Sequence, residues 1–337
     1  MKIAILSVSE KGKNLGLKLK ELLDEDSCVI KVSLFHKNIK KNIKIAFFEY
    51  DAVIAIMASG ILIRSISPLI ESKVTDPAIL NIDDNGKFVI SALSGHLGGA
   101  NKLTHKIADL IDAVPVITTS TDVNQKLGID VIARDLYLSI DDTSEILAFN
   151  KAVLDGEKIT FTVNPNRNHD YLMEYLNNNT LEINVSVRFS CDVGHDEIHA
   201  EFDSHKIVLI EKNVVVGIGC RRGKSCKDIY QGFKKSIRDL NIHKSRINCL
   251  ASAEIKKDEK GILDLSDALN LDVYFVEMDK MKLFESEFIQ KSEFVKSKFG
   301  IYGVCEPSAL IRAGFDSKLI YRKTSYDGVT IAVAVSK

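Results

Sequence analysis

Residues 89–101 read Val-Ile-Ser-Ala-Leu-Ser-Gly-His-Leu-Gly-Gly-Ala-Asn. An apolar run leads into a loop of three glycines, a serine and a histidine, and residues 103–111 then repeat Leu and Ile at helical spacing. This order of strand, glycine loop and helix leaves backbone N–H groups at the start of the helix, where they can bind an anionic group. His96 lies within the loop, so a titratable ring is placed beside the candidate anion site.

The pattern around this stretch predicts the fold. Residues 1–138 alternate between apolar strands and amphipathic helices, which predicts a mainly parallel sheet covered on both faces. Within them, Asn85-Gly86 separates two apolar runs and predicts a hairpin. Residues 139–212 hold short alternating strands and polar turns, and residues 213–337 return to the α/β pattern. We expect an α/β protein: two three-layer α/β units with mainly parallel sheets, joined by a small α+β middle region.

Loops that follow the strands of the first unit are the candidate ligand site, because such sheets bind ligands at the carboxyl ends of their strands. Three loops are expected at this edge: residues 57–60, 94–101 and 118–122. The third is rich in hydroxyls, which fit ligand contact and a helix cap equally well. The candidate ligand-contacting residues in and behind these loops are Ser59, Gly60, Arg64, Gly95, Gly98, Gly99, Asn101 and Thr119.

A second glycine loop, residues 217–225, reads Gly-Ile-Gly-Cys-Arg-Arg-Gly-Lys-Ser after an apolar strand. It partly matches a dinucleotide fingerprint, but the usual third glycine spacing and the acidic residue after the next strand are absent. Alternatively, Arg221 and Arg222 face a substrate with several carboxylates, which guanidinium groups bind well, and Gly219 and Cys220 contact the same substrate. A third interpretation is a solvated loop.

Glu306 and two cysteines also lie near predicted helix starts. Pro307 fits the first position of a helix, which makes Glu306 the expected N-cap. The helix dipole alone can explain a carboxylate there, and the alternative is a carboxylate aimed at a ligand or at a catalytic histidine. Cys220 and Cys305 are placed where a helix dipole favours thiolate, although no histidine adjoins either in sequence.

Composition excludes several classes of function. The net charge of the 337 residues is -1, whereas nucleic-acid-binding proteins carry an excess of Lys and Arg. No apolar run approaches the ~20 residues that span a bilayer, and the first residues lack the pattern of a signal peptide. Six cysteines occur without a Cys-x-x-Cys motif, so we expect a cytoplasmic protein with reduced thiols and no metal site.

Four stretches together resemble the cobalt-precorrin-5A hydrolase family (CbiG) of anaerobic cobalamin biosynthesis. They are residues 90–101, 115–122, 217–223 and 303–310, in the order in which the family has them. The resemblance implies a cobalt-containing tetrapyrrole substrate whose ring A acetate arm is closed as a δ-lactone onto the two-carbon unit at C20. Water opens the lactone, and loss of acetaldehyde then gives cobalt-precorrin-5B.

The implied chemistry assigns roles to the candidate residues. We expect His96 to activate water, with Ser94 as a nucleophile partnered by His96 as the alternative. Backbone N–H groups around Gly98 and Gly99 would stabilise the oxyanion. The acetate and propionate arms would bind Arg64, Arg221 and Arg222, and Glu306 is a further catalytic candidate.

The resemblance also bears on cofactors and partners. Cobalt belongs to the substrate, so no cofactor is expected. Contacts with the neighbouring methyltransferases of the pathway and the oligomeric state stay open. Two rival functions are an NAD(P)-dependent oxidoreductase that uses the Gly217 loop and a non-catalytic tetrapyrrole-binding protein. A carrier does not need a titratable group in its glycine loop, so His96 favours an enzyme.

Overall fold

The structure, a computed structural model, describes residues 1–286 and 288–337. It divides into two compact units, Met1–Arg167 with Tyr175–Glu211, and Asn168–Glu174 with Lys212–Lys337. Within the residues described, the strands form three sheets, two in the first unit and one in the second.

The first sheet has the strand order β2-β1-β3-β4-β5-β6. Its strands are β1 Lys2–Ser7, β2 Lys31–His36, β3 Ala52–Ile56, β4 Ala78–Ile82, β5 Phe88–Leu93 and β6 Val114–Val116. The helices between them are α1 Glu10–Asp24, α2 Ile39–Glu49, α3 Ser59–Ile66 and α4 Ala100–Ile111. All neighbouring strands are parallel except β4 and β5, which form the predicted hairpin.

Helices cover both faces of the first sheet, because its central strands are apolar throughout. Ile3 and Ile5 of β1 pack with Leu19 of α1 on one face, where α4 also lies. Leu6 of the same strand packs on the other face, with Phe47 of α2 and with α3. Successive side chains of a strand point to opposite faces, so a continuous apolar strand needs cover on both.

The middle sheet has the order β7-β11-β10-β8-β9 and is mainly antiparallel. Its strands are β7 Leu138–Ile140, β8 Ile159–Val163, β9 Val185–Phe189, β10 Glu197–Phe202 and β11 His205–Glu211. Helices α5 Ser120–Val123 and α6 Ile129–Asp135 precede β7 in the chain. Helix α7 Ile146–Asp155 connects β7 to β8, and α8 Asp170–Asn178 lies between β8 and β9.

The third sheet has the order β14-β13-β12-β16-β15. Its strands are β12 Val214–Cys220, β13 Cys249–Ala253, β14 Val273–Val276, β15 Lys318–Tyr326 and β16 Val329–Val335. Its helices are α9 Cys226–Leu240, α10 Lys260–Leu269, α11 Met278–Leu283, α12 Glu293–Phe299 and α13 Cys305–Ala313. Strands β12, β13 and β14 are parallel, whereas β16 pairs antiparallel with both of its neighbours.

The predicted fold class is confirmed: two α/β regions flank a smaller α+β region. The strands of the three sheets fall within residues 2–116, 138–211 and 214–335. The predicted domain boundaries, 1–138, 139–212 and 213–337, stay a prediction. None of the helices in the described part of the chain has both the length and the apolar character needed to cross a membrane.

Candidate functional site

The loop that carries His96 is a tight turn between β5 and α4. Ser94 has a φ of 56° and Gly99 a φ of 83°, so the backbone is left-handed at both ends of the turn. A Cβ on Gly98 would lie 2.5 Å from the Cβ of Ser94, which explains why this position is glycine. The turn directs the His96 side chain towards residues that follow β6.

Two aspartates bind the two ring nitrogens of His96. Nδ1 lies 3.0 Å from both carboxylate oxygens of Asp130, and Nε2 lies 2.8 Å from Oδ2 of Asp122. The Thr121 hydroxyl is also 3.0 Å from Nε2. The side chains of His96 and Asp130 are 9% and 7% exposed, whereas that of Asp122 is 31% exposed. Asp122 is therefore the member of this cluster that solvent or a substrate reaches.

The charges of the cluster are coupled. Burial disfavours the protonated ring, but hydrogen bonds to Asp122 and Asp130 outweigh it and raise the pKa of His96 to about 9. Burial also opposes ionisation of both aspartates, yet the contact with His96 lowers the pKa of each. At neutral pH the arrangement is an imidazolium between two carboxylates. General-base catalysis is most effective when the pKa of the base lies near the working pH, and Asp122 and Asp130 together raise the pKa of His96 above neutrality.

Asn101 connects the glycine loop to Asp122. Its Nδ2 donates to Asp122 Oδ2 at 2.9 Å and to the Thr119 hydroxyl at 3.0 Å. Its Oδ1 accepts from the Ser91 hydroxyl at 2.6 Å. A Cβ on Gly95 would lie 2.7 Å from Asn101 Oδ1, so the glycine makes room for this amide. The predicted residues therefore act on the cluster through Asp122: Asn101 donates to it, Thr119 accepts from Asn101, and Gly95 leaves room for the amide.

Four residues that the sequence interpretation did not select complete the site. Asp122 and Asp130 bind the ring, Asn150 donates to Asp130, and Arg134 donates to the His96 carbonyl at 2.7 Å. Asp130 offered a signal, because it is an acidic residue inside the apolar run of α6. A buried carboxylate requires a donor or a cation, so the run itself indicated a partner.

The expected oxyanion site is only partly available. The N–H of Gly99 donates to the His96 carbonyl at 2.9 Å, and those of Ala100 and Asn101 donate to the carbonyls of residues 94 and 95. The start of α4 is therefore closed by its own loop. Among the residues that the structure describes, the N–H of Gly98 has no acceptor and stays a candidate donor.

Ser94 lies in the same turn but does not contact the histidine. Its hydroxyl is buried and has no hydrogen-bond partner among the described residues. Both ring nitrogens of His96 face aspartates instead. The alternative in which His96 activates a Ser94 nucleophile therefore stays a prediction without a matching contact.

The expectation that all three loops share one edge of the sheet is wrong. Strand β5 runs antiparallel to β4, so the loop after β5 lies at the amino ends of β3 and β4. Residues 118–122 follow β6, which is parallel to β5, and they reach the same edge. Residues 57–60 follow β3 and lie at the opposite edge, about 13 Å away along β4.

Ser59, Gly60 and Arg64 consequently form a separate group. The Ser59 hydroxyl donates to Asn81 Oδ1 at 2.5 Å, and Asn81 donates in turn to the carbonyls of Ala55 and Met57. Arg64 folds back onto its own helix, where it donates to the Gly60 carbonyl at 3.0 Å. A role for these residues at the His96 cluster stays a prediction. The distance between the two ends of β4 argues against it.

Glycines of the second loop serve packing. A Cβ on Gly217 would lie 1.9 Å from the Cys305 carbonyl oxygen, because α13 begins directly on β12. A Cβ on Gly219 would lie 2.6 Å from the Thr330 hydroxyl of β16. Close approach of helix and strand therefore accounts for the first two glycines of the partial dinucleotide fingerprint.

Most cations of this loop already face carboxylates. Arg222 lies 2.7 Å from Asp258 and 3.4 Å from Glu259, and Lys224 lies 3.0 Å from Asp327. Among the described residues, the Arg221 guanidinium has no carboxylate partner. Arg221 is therefore the cation of this loop that is most available to a substrate.

Glu306 and the cysteines depart from expectation. Helix α13 begins at Cys305, so Glu306 lies inside its first turn and is not the N-cap. Its buried carboxylate accepts the N–H groups of Gln290 at 2.8 Å and Lys323 at 2.9 Å, which makes it a structural tie. Burial raises the pKa of Cys220 and of Cys305, which opposes the thiolate form that a helix dipole would favour. A catalytic role for Glu306 and a substrate contact for Cys220 stay predictions.

Comparison with known proteins gives one family for both ends of the chain. The family models described as cobalamin synthesis G N-terminal and cobalamin synthesis G C-terminus match residues 41–122 and 214–334. The chain is 28% identical over 315 residues to the cobalt-precorrin-5A hydrolase of Priestia megaterium, which covers 90% of this chain and 83% of that protein.

Two archaeal proteins match over nearly the whole length. A protein of Methanocaldococcus jannaschii named "Probable cobalt-precorrin-5A hydrolase" is 32% identical over 343 residues, which covers 99% of each chain. A crystal structure of a Sulfolobus solfataricus protein described as a "putative cobalamin biosynthesis protein G homolog" superposes with a TM-score of 0.59 at 27% identity. That match covers 100% of this chain and 97% of the other.

Proposed function

Because this chain belongs to the cobalamin synthesis G (CbiG) family, we propose that it is a cobalt-precorrin-5A hydrolase whose reaction takes place at the His96 cluster. The family membership inferred from four sequence stretches is confirmed, and the substrate class is a cobalt tetrapyrrole of cobalamin biosynthesis. The finer reaction is opening of the ring A δ-lactone by water, followed by loss of the C20 two-carbon unit as acetaldehyde.

The observation that carries this proposal is the histidine held between a buried and a partly exposed aspartate. Asp130 fixes Nδ1 from the protein side, and Asp122 meets Nε2 at the side that solvent reaches. A hydrolase needs a base in contact with water, and this arrangement presents one nitrogen and one carboxylate to the same place. A carrier of tetrapyrroles has no use for such a cluster.

In the first step the cluster works as a base after its ring has lost one proton. The remaining proton stays on Nδ1 and donates to Asp130, which leaves Nε2 and Asp122 as neighbouring acceptors. A water molecule that enters between them donates to both. Its oxygen attacks the lactone carbonyl while one proton passes to Nε2, and the resulting imidazolium again lies between two carboxylates.

In the second step the tetrahedral intermediate breaks the lactone C–O bond and leaves a carboxylic acid and an alkoxide. The Gly98 N–H is the nominated donor to the oxyanion. The alkoxide becomes the carbonyl of acetaldehyde, and the electrons of the broken carbon–carbon bond stay on the macrocycle. The Nε2–H of the His96 imidazolium then protonates the macrocycle carbon that kept these electrons. This restores the neutral imidazole and balances the reaction.

The macrocycle brings its own cobalt, so we propose that the chain supplies no metal or other cofactor. Arg221, and to a lesser extent the carboxylate-paired Arg222, are the cations nominated for the acetate and propionate arms. The Gly217 loop is not nominated for a nicotinamide nucleotide, because α13 occupies the space beside Gly217. Contacts with pathway methyltransferases stay a proposal.

The test is incubation with cobalt-precorrin-5A under anaerobic conditions and detection of acetaldehyde. We expect acetaldehyde and cobalt-precorrin-5B in equal amounts. Consumption of substrate without acetaldehyde would contradict the carbon–carbon cleavage, and binding without consumption would favour a carrier. Stabilisation by a nicotinamide nucleotide, without stabilisation by the corrinoid, would favour the oxidoreductase.

The pH dependence of kcat tests the role of the ring. Because the base form requires loss of a proton with a pKa of about 9, kcat should rise roughly tenfold per pH unit up to about pH 8 and level off only above about pH 9. A rate that falls over the same range would instead assign His96 as an acid in the first step.

A further inference from the structure

Building on the proposed reaction at His96, we propose that Asn150 is a positioning residue: its amide holds the Asp130 carboxylate in the orientation that fixes the His96 ring. Asn150 lies on α7, outside the stretches that suggested the family and outside the matched regions 41–122 and 214–334. It touches neither the ring nor the expected place of the substrate, so it would act only through Asp130.

Asn150 makes two hydrogen bonds at the start of α6. Its Nδ2 donates to Asp130 Oδ1 at 3.1 Å, and its Oδ1 accepts the N–H of Ile129 at 2.9 Å. Ile129 is the first residue of α6, and Asp130 is the next. One amide therefore fixes the backbone that carries the aspartate and the carboxylate itself.

Gly128 provides the space for this contact. A Cβ at this position would lie 2.8 Å from Asp130 Oδ1 and 2.9 Å from Asn150 Oδ1. Any side chain would separate the amide from the carboxylate or displace both. The three residues thus form one packed group directly behind the catalytic ring.

The physical need for Asn150 comes from the charge of Asp130. A carboxylate that is almost completely buried must receive hydrogen bonds, and His96 Nδ1–H serves both oxygens from one side only. The Asn150 amide donates to Asp130 from another side. Because the amide is neutral, the negative charge of Asp130 stays available to pair with the His96 imidazolium. Without it the carboxylate is free to turn away from the ring towards other donors.

The first test is Asn150→Ala, studied by steady-state kinetics and by NMR titration of the His96 ring. We expect kcat to fall about 10- to 100-fold with KM unchanged, a loss like that of removing the hydrogen-bond partner that orients a metal-binding histidine. The pKa of His96 should fall from about 9 by about one pH unit, because Asp130 no longer faces it squarely.

A matched control is Asn164→Ala in the same unit. Asn164 is buried, donates to the Val193 carbonyl at 2.7 Å and accepts the Asn166 N–H at 2.9 Å, so it loses the same kinds of bond. We expect a lower melting temperature but an unchanged His96 titration and kcat. Equal kinetic effects in both variants would reduce Asn150 to a structural residue and overturn the proposal.

Asn150→Asp keeps the test decisive if the alanine variant does not fold. The new carboxyl can still accept the Ile129 N–H, but when ionised it repels Asp130. When protonated it can donate to Asp130 as the amide does, so kcat relative to wild type should recover as pH falls. A ratio that does not change with pH would contradict the proposal.

These readouts separate two kinds of failure. If His96→Ala retains activity, the proposed function of the cluster fails, yet the effect of Asn150 on the His96 titration is still measurable. If His96→Ala is inactive and Asn150→Ala leaves both kcat and the His96 titration unchanged, only the positioning role is lost.

Discussion

The two glycine loops have the same appearance in sequence and different uses in the structure. Each follows an apolar strand and leads into a helix, and each contains three glycines and at least one ionisable residue. In residues 94–101 the turn closes the helix start with its own carbonyls and presents His96 to two aspartates. In residues 217–225 Gly217 admits the backbone of α13, Gly219 makes room for Thr330 of β16, and Arg222 and Lys224 pair with carboxylates.

The difference teaches that glycines in a loop indicate that another group packs closely against the loop backbone. They do not indicate whether that group is a ligand or a part of the protein. At Gly217 the approaching group is another helix of the protein. Near Gly95 it is the Asn101 amide that supports a catalytic cluster. Polar groups near such a loop can meet a ligand only where the structure leaves them in contact with solvent, as it does at Asp122.

The largest expected effect is at the first loop. His96→Ala should lower kcat/KM about 100- to 10,000-fold, the usual range for loss of general acid–base catalysis. Acetaldehyde release from cobalt-precorrin-5A is the measurement, with Asn164→Ala as a folded control. Turnover within a few-fold of wild type would remove His96 from the mechanism. The first loop would then have no catalytic role to distinguish it from the second.

At the second loop the effect should fall on stability and not on chemistry. Gly217→Ala would place a methyl group 1.9 Å from a backbone oxygen, which we expect to cost about 3 kcal/mol, the upper end for overpacking. Gly223→Ala is the comparison, since nothing lies within 4 Å and only its φ of 76° is unfavourable. It should cost about 1 kcal/mol. Denaturant unfolding gives both values, and a tolerated Gly217→Ala would refute the packing role.

A further prediction concerns stability against pH. The pKa of His96 is raised from 6.5 in the unfolded chain to about 9 in the folded protein, so the folded state holds the proton more tightly. The resulting stabilisation, about 3 kcal/mol, is complete below pH 6.5 and is lost as pH rises through 9. Unfolding free energies from pH 6 to pH 10 should show this decline in wild type. A decline of the same size in His96→Ala would assign it to other groups.

The smallest expected effect distinguishes two neighbouring arginines. Arg221→Ala should raise KM for the corrinoid about tenfold, because its guanidinium is available for a carboxylate arm. Arg222→Ala should change KM less, since Arg222 already pairs with Asp258 and Glu259. Binding titrations with the substrate would measure both. Equal, negligible effects would make this loop a solvated surface.

Much of the fold was predictable from local pattern. Continuous apolar strands between amphipathic helices predicted the covered first sheet, and Asn85-Gly86 predicted the hairpin of β4 and β5. The consequence of that hairpin was missed: it reverses β5 and carries the His96 loop to the edge opposite Ser59. Direction along a sheet is a property of strand pairing, so loops cannot be assigned to one edge by counting strands.

The candidate site was predictable only in part. The sequence identified His96, Asn101 and Thr119, because a polar loop after a buried strand is distinctive. It did not identify Asp130 and Asn150, which lie 34 and 54 positions after His96. Asp130 is in α6 and Asn150 in α7, the helices before and after β7 of the middle sheet, whereas His96 follows β5 of the first sheet. Partners that meet across such separations leave no local spacing to recognise.

The sequence by itself determined the family, the α/β and α+β regions and the histidine in its loop, because these depend on periodicity and on motifs of neighbouring residues. Only the tertiary structure decided which charged groups face one another. It made His96 an imidazolium between two aspartates, made Gly217 a contact for α13 and left Arg221 without a carboxylate among the described residues. Electrostatic and steric interactions act through space, and the distances that set their strength exist only in the folded chain.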